Sequence, residues 1–153
     1  MFKGVLLLTL VVISLNRTYP MFKQCDSKWG NEQQGFSSNT ICSSGCLISS
    51  VAMALAGTGH DFNPSTLNQW LKEHGGYLNG DLLVWGSINS LGLTYQGKIA
   101  SFQIQTVLDQ GKVVICNVRN GAHWVLAYGY DGNNILVNDP GYNVTSYYLN
   151  QIV

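Results

Sequence analysis

A chain of 153 residues, 46% of them apolar, is long enough to bury one proper core and too short for two ordinary domains. Only 10% of the residues are charged, 8 basic against 8 acidic, and the formal net charge is +0. No electrostatic field exists to gather phosphates or an anionic membrane surface, which argues against a nucleic-acid partner.

The chain opens with a single positive charge at Lys3, runs apolar from Val5 to Leu15 and turns polar at Asn16-Arg17-Thr18. The run is shorter than the ~20 residues of a spanning helix, and its basic-then-apolar order is that of a secretory signal peptide. We place this segment at residues 1–18, with the mature start near residues 16–21; a membrane anchor or a buried core helix is the competing reading. Residues 19–153 then form one exported domain, in an extracellular, periplasmic or lumenal compartment, with no stable membrane association after signal removal.

Export permits disulfides among Cys25, Cys42, Cys46 and Cys116, which can pair in three ways or form one bridge and leave two thiols. No C-x-x-C spacing with matching histidines is present, so neither a metal nor another cofactor is expected. Asn143-Val144-Thr145 and Asn16-Arg17-Thr18 fit the glycosylation sequon, the second within reach of signal cleavage.

Residues 19–39, rich in Gly, Ser, Asn and Gln, lack periodicity and read as an irregular arm over a core. Over residues 45–56 Leu47, Ile48, Val51, Ala52 and Leu55 recur at helical spacing, with Ser43 or Ser44 as cap and Gly57 as terminator. Asn63-Pro64 starts a second helix that ends at Gly75-Gly76. Helices are also expected over residues 81–90 and 101–110. The character then switches: residues 112–118 are β-branched, and residues 123–130 and 135–139 flank Asp131-Gly132-Asn133-Asn134, a hairpin signal. Residues 145–148 can add a fourth strand. Helices first and an antiparallel sheet second make the fold α+β.

Cys46 occupies the first turn of the most clearly periodic helix, where unpaired backbone N–H groups favour a thiolate, the nucleophilic form. A base is needed, and the histidines are His60, His74 and His123. The first two sit at polar, glycine-flanked helix ends and read as solvated loop residues. His123 stands at the head of an apolar strand in Gly121-Ala122-His123-Trp124-Val125, where burial requires partners. Folding the hairpin about Gly132-Asn133 brings residues 139–142 opposite the start of that strand, so with one residue of register slack Asp139 comes alongside His123 to fix its tautomer. In Asn138-Asp139-Pro140-Gly141 the same residue also reads as a turn former.

Tyr19-Pro20, Gln24-Cys25-Asp26-Ser27-Lys28-Trp29, Ser44-Gly45-Cys46 with residues 50–55, Gly111-Lys112-Val113-Val114, Gly121-Ala122-His123-Trp124-Val125 and Asn138-Asp139-Pro140, in that order, resemble the peptidase C39-like family of the papain-like cysteine peptidase superfamily. The resemblance runs from Tyr19 to the C-terminus. It implies a papain-like fold, an N-terminal helical part whose catalytic helix packs on a C-terminal antiparallel sheet. It further implies Cys46 as nucleophile, His123 as base, Asp139 as its orienter, and Gln24 as side-chain donor to the oxyanion beside the Cys46 N–H. Gln24 lies farther upstream than the glutamine of papain, and Gln33 and Gln34 are its rivals. The chain departs from the family pattern after the cysteine, where Leu47-Ile48-Ser49 stands, a difference that touches substrate fit. Cys25 and Cys42 can join the arm to the nucleophile helix, and Cys116 reads as a buried free thiol.

The functional expectation is a secreted thiol hydrolase, a cysteine peptidase acting on a peptide or protein substrate. Two alternatives stand beside it. One is a catalytically silent module used for binding or extracellular assembly, favoured if Cys46 is tied to Cys42. The other is a cell-wall peptide amidase of the second cysteine-histidine type.

Overall fold

The structure, a computed structural model, describes residues 17–153. The expected signal segment therefore lies outside the described residues, except for Arg17 and Thr18. The described elements are α1 (Ile41–Ser44), α2 (Cys46–Gly57), α3 (Pro64–Glu73), β1 (Tyr77–Leu78), β2 (Leu82–Leu83), α4 (Ile104–Asp109), β3 (Val114–Val118), β4 (His123–Asp131), β5 (Asn134–Asn138) and β6 (Ser146–Tyr148). Three 3-10 turns, Trp85–Leu91, Ser101–Gln103 and Leu149–Gln151, complete them. Helices lead and a four-stranded antiparallel sheet in the order β3-β4-β5-β6 follows, as expected for α+β.

The central element is α2. Residues 48–55 are buried without interruption, because the helix is enclosed on both sides and has no solvated face. Met53 and Ala54 pack with Leu126 and Ile115 of the sheet. On the other side Ile48, Val51 and Leu55 meet Leu67 and Leu71 of α3, together with Trp29 and Ile41. A second cluster fills the far face of the sheet, where Cys116, Val118, Val125, Val137 and Tyr147 pack with Ile104 and Ile152.

Two expectations are corrected. Residues 81–90 are not a helix: Asn79 (φ 49°) and Gly80 (φ 97°) are left-handed and reverse the chain, so Leu82–Leu83 pairs with Tyr77–Leu78. Only the 3-10 turn Trp85–Leu91 remains helical there, and Ile88 is its buried residue. Nor does Ser43 or Ser44 cap α2. Ser43 forms a reciprocal capping box with Thr40 at the start of α1, and Ser44 Oγ donates to Gln34 Oε1 at 3.2 Å. The residue range 101–110 is helical, as a 3-10 turn running into α4.

The β4–β5 hairpin has a feature that aligns the site. From the turn the pairs run Asp131↔Asn134, Tyr130↔Ile135 and Gly129↔Leu136, then Ala127↔Val137 and Leu126↔Asn138. Tyr128 is an extra residue, a β-bulge. Continuing the shifted register sets Asp139 opposite Val125, on the same face as His123 two residues away. An unbulged ladder would set Asp139 opposite Leu126, on the opposite face.

The arm is irregular, as expected, and is fastened to the sheet end that carries Asp139. Gln24 N–H donates to Pro140 O at 3.0 Å, and Lys23 Nζ donates to Asp139 O at 2.8 Å and Tyr142 O at 2.7 Å. A disulfide between Cys25 and Cys42 joins the same stretch of arm to α1. Among the described residues no helix is long and apolar enough to cross a membrane.

Candidate active site

A cleft of about 640 Å³ opens between the helical part and the sheet. Cys46 comes to it from the first position of α2, His123 from the first residue of β4, and Gln24 from the arm. Cys46 is a partly exposed free thiol, and Cys42 is bridged to Cys25, which removes the Cys42–Cys46 pairing weighed above. Cys116 is also free, as expected, but it is buried in the sheet core, and burial pushes its thiol up to about 12.

His123 is 5% exposed, and its Nε2 lies 2.7 Å from Asp139 Oδ1. That contact makes Nε2 the protonated nitrogen, donating to the carboxylate, and leaves Nδ1 for Cys46, whose thiol lies beside the ring. Burial acts against the charged imidazolium. The hydrogen bonds and charges of Asp139 and Cys46 outweigh it and raise His123 from 6.5 to about 9.

Asp139 is wholly buried and carries its charge through saturation of its oxygens. Oδ1 accepts from His123 and from the N–H groups of Gly141 and Tyr142, both at 2.9 Å, while Oδ2 accepts from Tyr147 Oη at 2.8 Å. Burial alone would raise this carboxyl, but these hydrogen bonds hold it below the usual carboxylate range. Asp139 is therefore both the partner of His123 and the anchor of its own Asp-Pro-Gly turn.

Residue type alone did not point to three further residues here. Tyr142 meets the His123 ring edge-on at 5.0 Å and is itself covered by the Arg119 guanidinium at 3.6 Å. Tyr147 fixes the second oxygen of Asp139. Gly141 lies so close to the imidazole that a Cβ there would stand 2.8 Å from His123 Cε1. The Asp-Pro-Gly turn was the available signal for Gly141, whereas nothing in the sequence pairs the two tyrosines with residues 123 and 139.

Gln24 is buried at 9% exposure, and its Nε2 donates to Cys42 O at 2.6 Å. Its rivals are engaged elsewhere. Gln33 Nε2 donates to Ser37 O at 2.6 Å, and Gln34, though at the cleft, accepts from Ser44 Oγ and donates to Asp81 O at 3.3 Å. The other histidines also lie away from the cleft: His74 stacks on Trp70 at 4.2 Å, and His60 lies against Gly92.

Among the described residues no side chain caps the start of α2, and Gly45 separates it from α1, so the helical ladder is not carried from Cys42 O to the Cys46 N–H. Thiol, imidazole and buried carboxylate around one cleft, with the N-terminus of α2 and the Gln24 amide at its edge, form an arrangement able to deprotonate a cysteine, hold a histidine in one tautomer and stabilise an oxyanion. A larger, mainly apolar cavity of about 960 Å³ runs along β3 beneath residues 92–101; it shares Trp124 with the cleft and contains no such pair. Among the described residues no group of acidic, histidine or cysteine side chains could hold a metal ion.

A family model described as the Peptidase_C39 like family matches residues 17–152. Comparison with curated proteins and with solved structures finds no match. By that match over nearly its whole length, the chain belongs to the Peptidase_C39 like family.

Proposed function

We propose that the protein is an exported papain-like thiol hydrolase that cleaves a peptide or related amide bond, with Cys46 as nucleophile, His123 as acid and base, and Asp139 as orienter. The carrying observation is that a partly exposed free thiol and a buried histidine line one cleft, with that histidine bound to the fourfold hydrogen-bonded, buried Asp139. Membership of a peptidase-like family favours this reading over a cell-wall amidase of the other type. The Cys25–Cys42 bridge is in keeping with export to an oxidising compartment. The domain extends over residues 19–153, and the segment before it is a signal peptide.

His123 Nδ1 takes the Cys46 proton, and the thiolate attacks the amide carbonyl carbon. The oxyanion is met by the Cys46 N–H and by the N–H of Gln24 Nε2 that is not committed to Cys42 O. The C–N bond breaks as the imidazolium returns its proton to the leaving amine, and a thioester remains. Water, giving a proton to His123, attacks the thioester; the C–S bond breaks, the acid leaves and the thiol is restored.

The test is digestion of a proteome-derived peptide mixture, with new termini read by mass spectrometry. Wild type is expected to generate them, and Cys46→Ala and His123→Ala are not. Cleavage that persists in Cys46→Ala would remove Cys46 as the nucleophile, and no cleavage by a wild type whose Cys46 is also unreactive would return the chain to the silent-module reading.

A further inference from the structure

The two donors assigned to the oxyanion are governed by a residue that does not touch it. In an unbroken helix the Cys46 N–H would donate to the carbonyl of Cys42, four residues earlier. Here α1 ends at Ser44, Gly45 interrupts the ladder, and Cys42 O accepts Gln24 Nε2 at 2.6 Å instead. The Cys46 N–H is thereby relieved of that partner. The same contact sets the orientation of the Gln24 amide, since a reversed amide would press Oε1 against the Cys42 carbonyl oxygen.

Gln24 has little else to hold its side chain. Its Oε1 is buried without a partner, on the side facing Gly141 and the His123 ring. Among the described residues the contact with Cys42 O is thus the single hydrogen bond of this amide, and the covalent link that keeps its two partners together is adjacent to both. Cys25 directly follows Gln24 and is bridged to Cys42 across a separation of 17 residues.

We propose that the Cys25–Cys42 disulfide is a positioning device for the oxyanion site. It holds Cys42 O on Gln24 Nε2, which aims the amide into the cleft and keeps the Cys42 carbonyl away from the Cys46 N–H. Both cysteines act through other groups and touch no reacting atom. The inference rests on the reading of Cys46 as an acyl-forming nucleophile, and it adds to that reading a role for the bridge beyond stability.

Two reactions at Cys46 separate this role from a structural one. Acylation by p-nitrophenyl acetate passes through a tetrahedral oxyanion and needs the donors, whereas alkylation by iodoacetamide displaces iodide and does not. Both are followed in wild type, in Cys25→Ser/Cys42→Ser, in Gln24→Ala and in the triple variant, well below each thermal midpoint. Loss of the bridge is expected to slow acylation about tenfold or more and to leave alkylation within about twofold. Gln24→Ala is expected to cost less in the bridge-free background than in wild type, because the two share one effect.

If the serine variant does not fold, wild type reduced with tris(2-carboxyethyl)phosphine and desalted replaces it. There the phosphine takes the oxygen of a water molecule, and the two sulfurs take its hydrogens. Unchanged acylation without the bridge would overturn the proposal. So would a parallel fall of both reactions with the Gln24→Ala cost undiminished. A wild-type Cys46 inert to both reagents is a different outcome, and it would overturn the nucleophile assignment itself.

Discussion

At His123 burial opposes the charged ring, while Asp139 and Cys46 favour it and prevail, so the imidazolium survives to about 9. Activity that needs this proton is lost as pH rises through that value, and the alkaline limb of kcat/KM is expected near 9. Asp139→Asn removes the charge that holds the proton, so the limb should move to lower pH and turnover should fall; a limb that stays put would detach Asp139 from His123. A second prediction concerns Gly141, which a Cβ would bring to 2.8 Å from His123 Cε1. Gly141→Ala is expected to displace the ring and lower kcat on the order of a hundredfold, with little change in iodoacetamide-accessible thiol count. Wild-type kcat in that variant would show that the ring tolerates the shift. The sequence displayed the chemistry-bearing residues Cys46, His123, Asp139 and Gln24, and these do converge in the structure. It did not display the groups that hold them, because a carbonyl oxygen such as that of Cys42, or a tyrosine such as Tyr147 reaching across the sheet, has no signature in residue type or spacing.

Among the elements, α2 and the sheet were legible because their apolar spacing is dictated by burial, continuous over residues 48–55 in the helix and alternating along β3. Residues 81–90 were not. Leu82, Leu83, Trp85 and Ile88 suggest a helical stripe, yet the turn at Asn79-Gly80 commits the first two to a hairpin. The register of the main hairpin was legible only to within one residue, and the bulge at Tyr128 accounts for that residue by placing Asp139 on the His123 face. The break between α1 and α2 is likewise a built feature. A Cβ on Gly45 would come within 2.4 Å of Ile41 O and 2.7 Å of Ile41 Cγ2, so Gly45→Ala must push the two helices apart. It is expected to destabilise the fold by about 1–3 kcal/mol, read from denaturant midpoints, and to slow acylation of Cys46. Unaltered stability and acylation would mean that the helix junction adjusts without disturbing the thiol.

For the molecule as a whole, the coupled pair makes stability depend on pH with a definite sign. His123 is raised above its unfolded value, so its contribution is full below about 6.5 and is lost as pH rises through about 9. Asp139 is lowered, so its contribution is present above its unfolded value of about 3.9 and is lost as pH falls through its lower folded value. The thermal midpoint of wild type should therefore decline between pH 6.5 and 9, and the decline should flatten in His123→Ala; equal slopes would remove the pair from the stability of the fold. The two halves of the molecule meet along the cleft, with the Cys46 thiol on the helical side and His123 and Asp139 on the sheet, so the proposed chemistry requires both to be docked. The most direct test of that arrangement is brief exposure of the native protein to iodoacetamide at neutral pH, with each cysteine read by peptide mass spectrometry. The account predicts rapid label on Cys46, none on buried Cys116, and slow label on Cys46 in His123→Ala. Equal labelling of the two cysteines, an inert Cys46, or a rate unchanged by loss of His123 would contradict it.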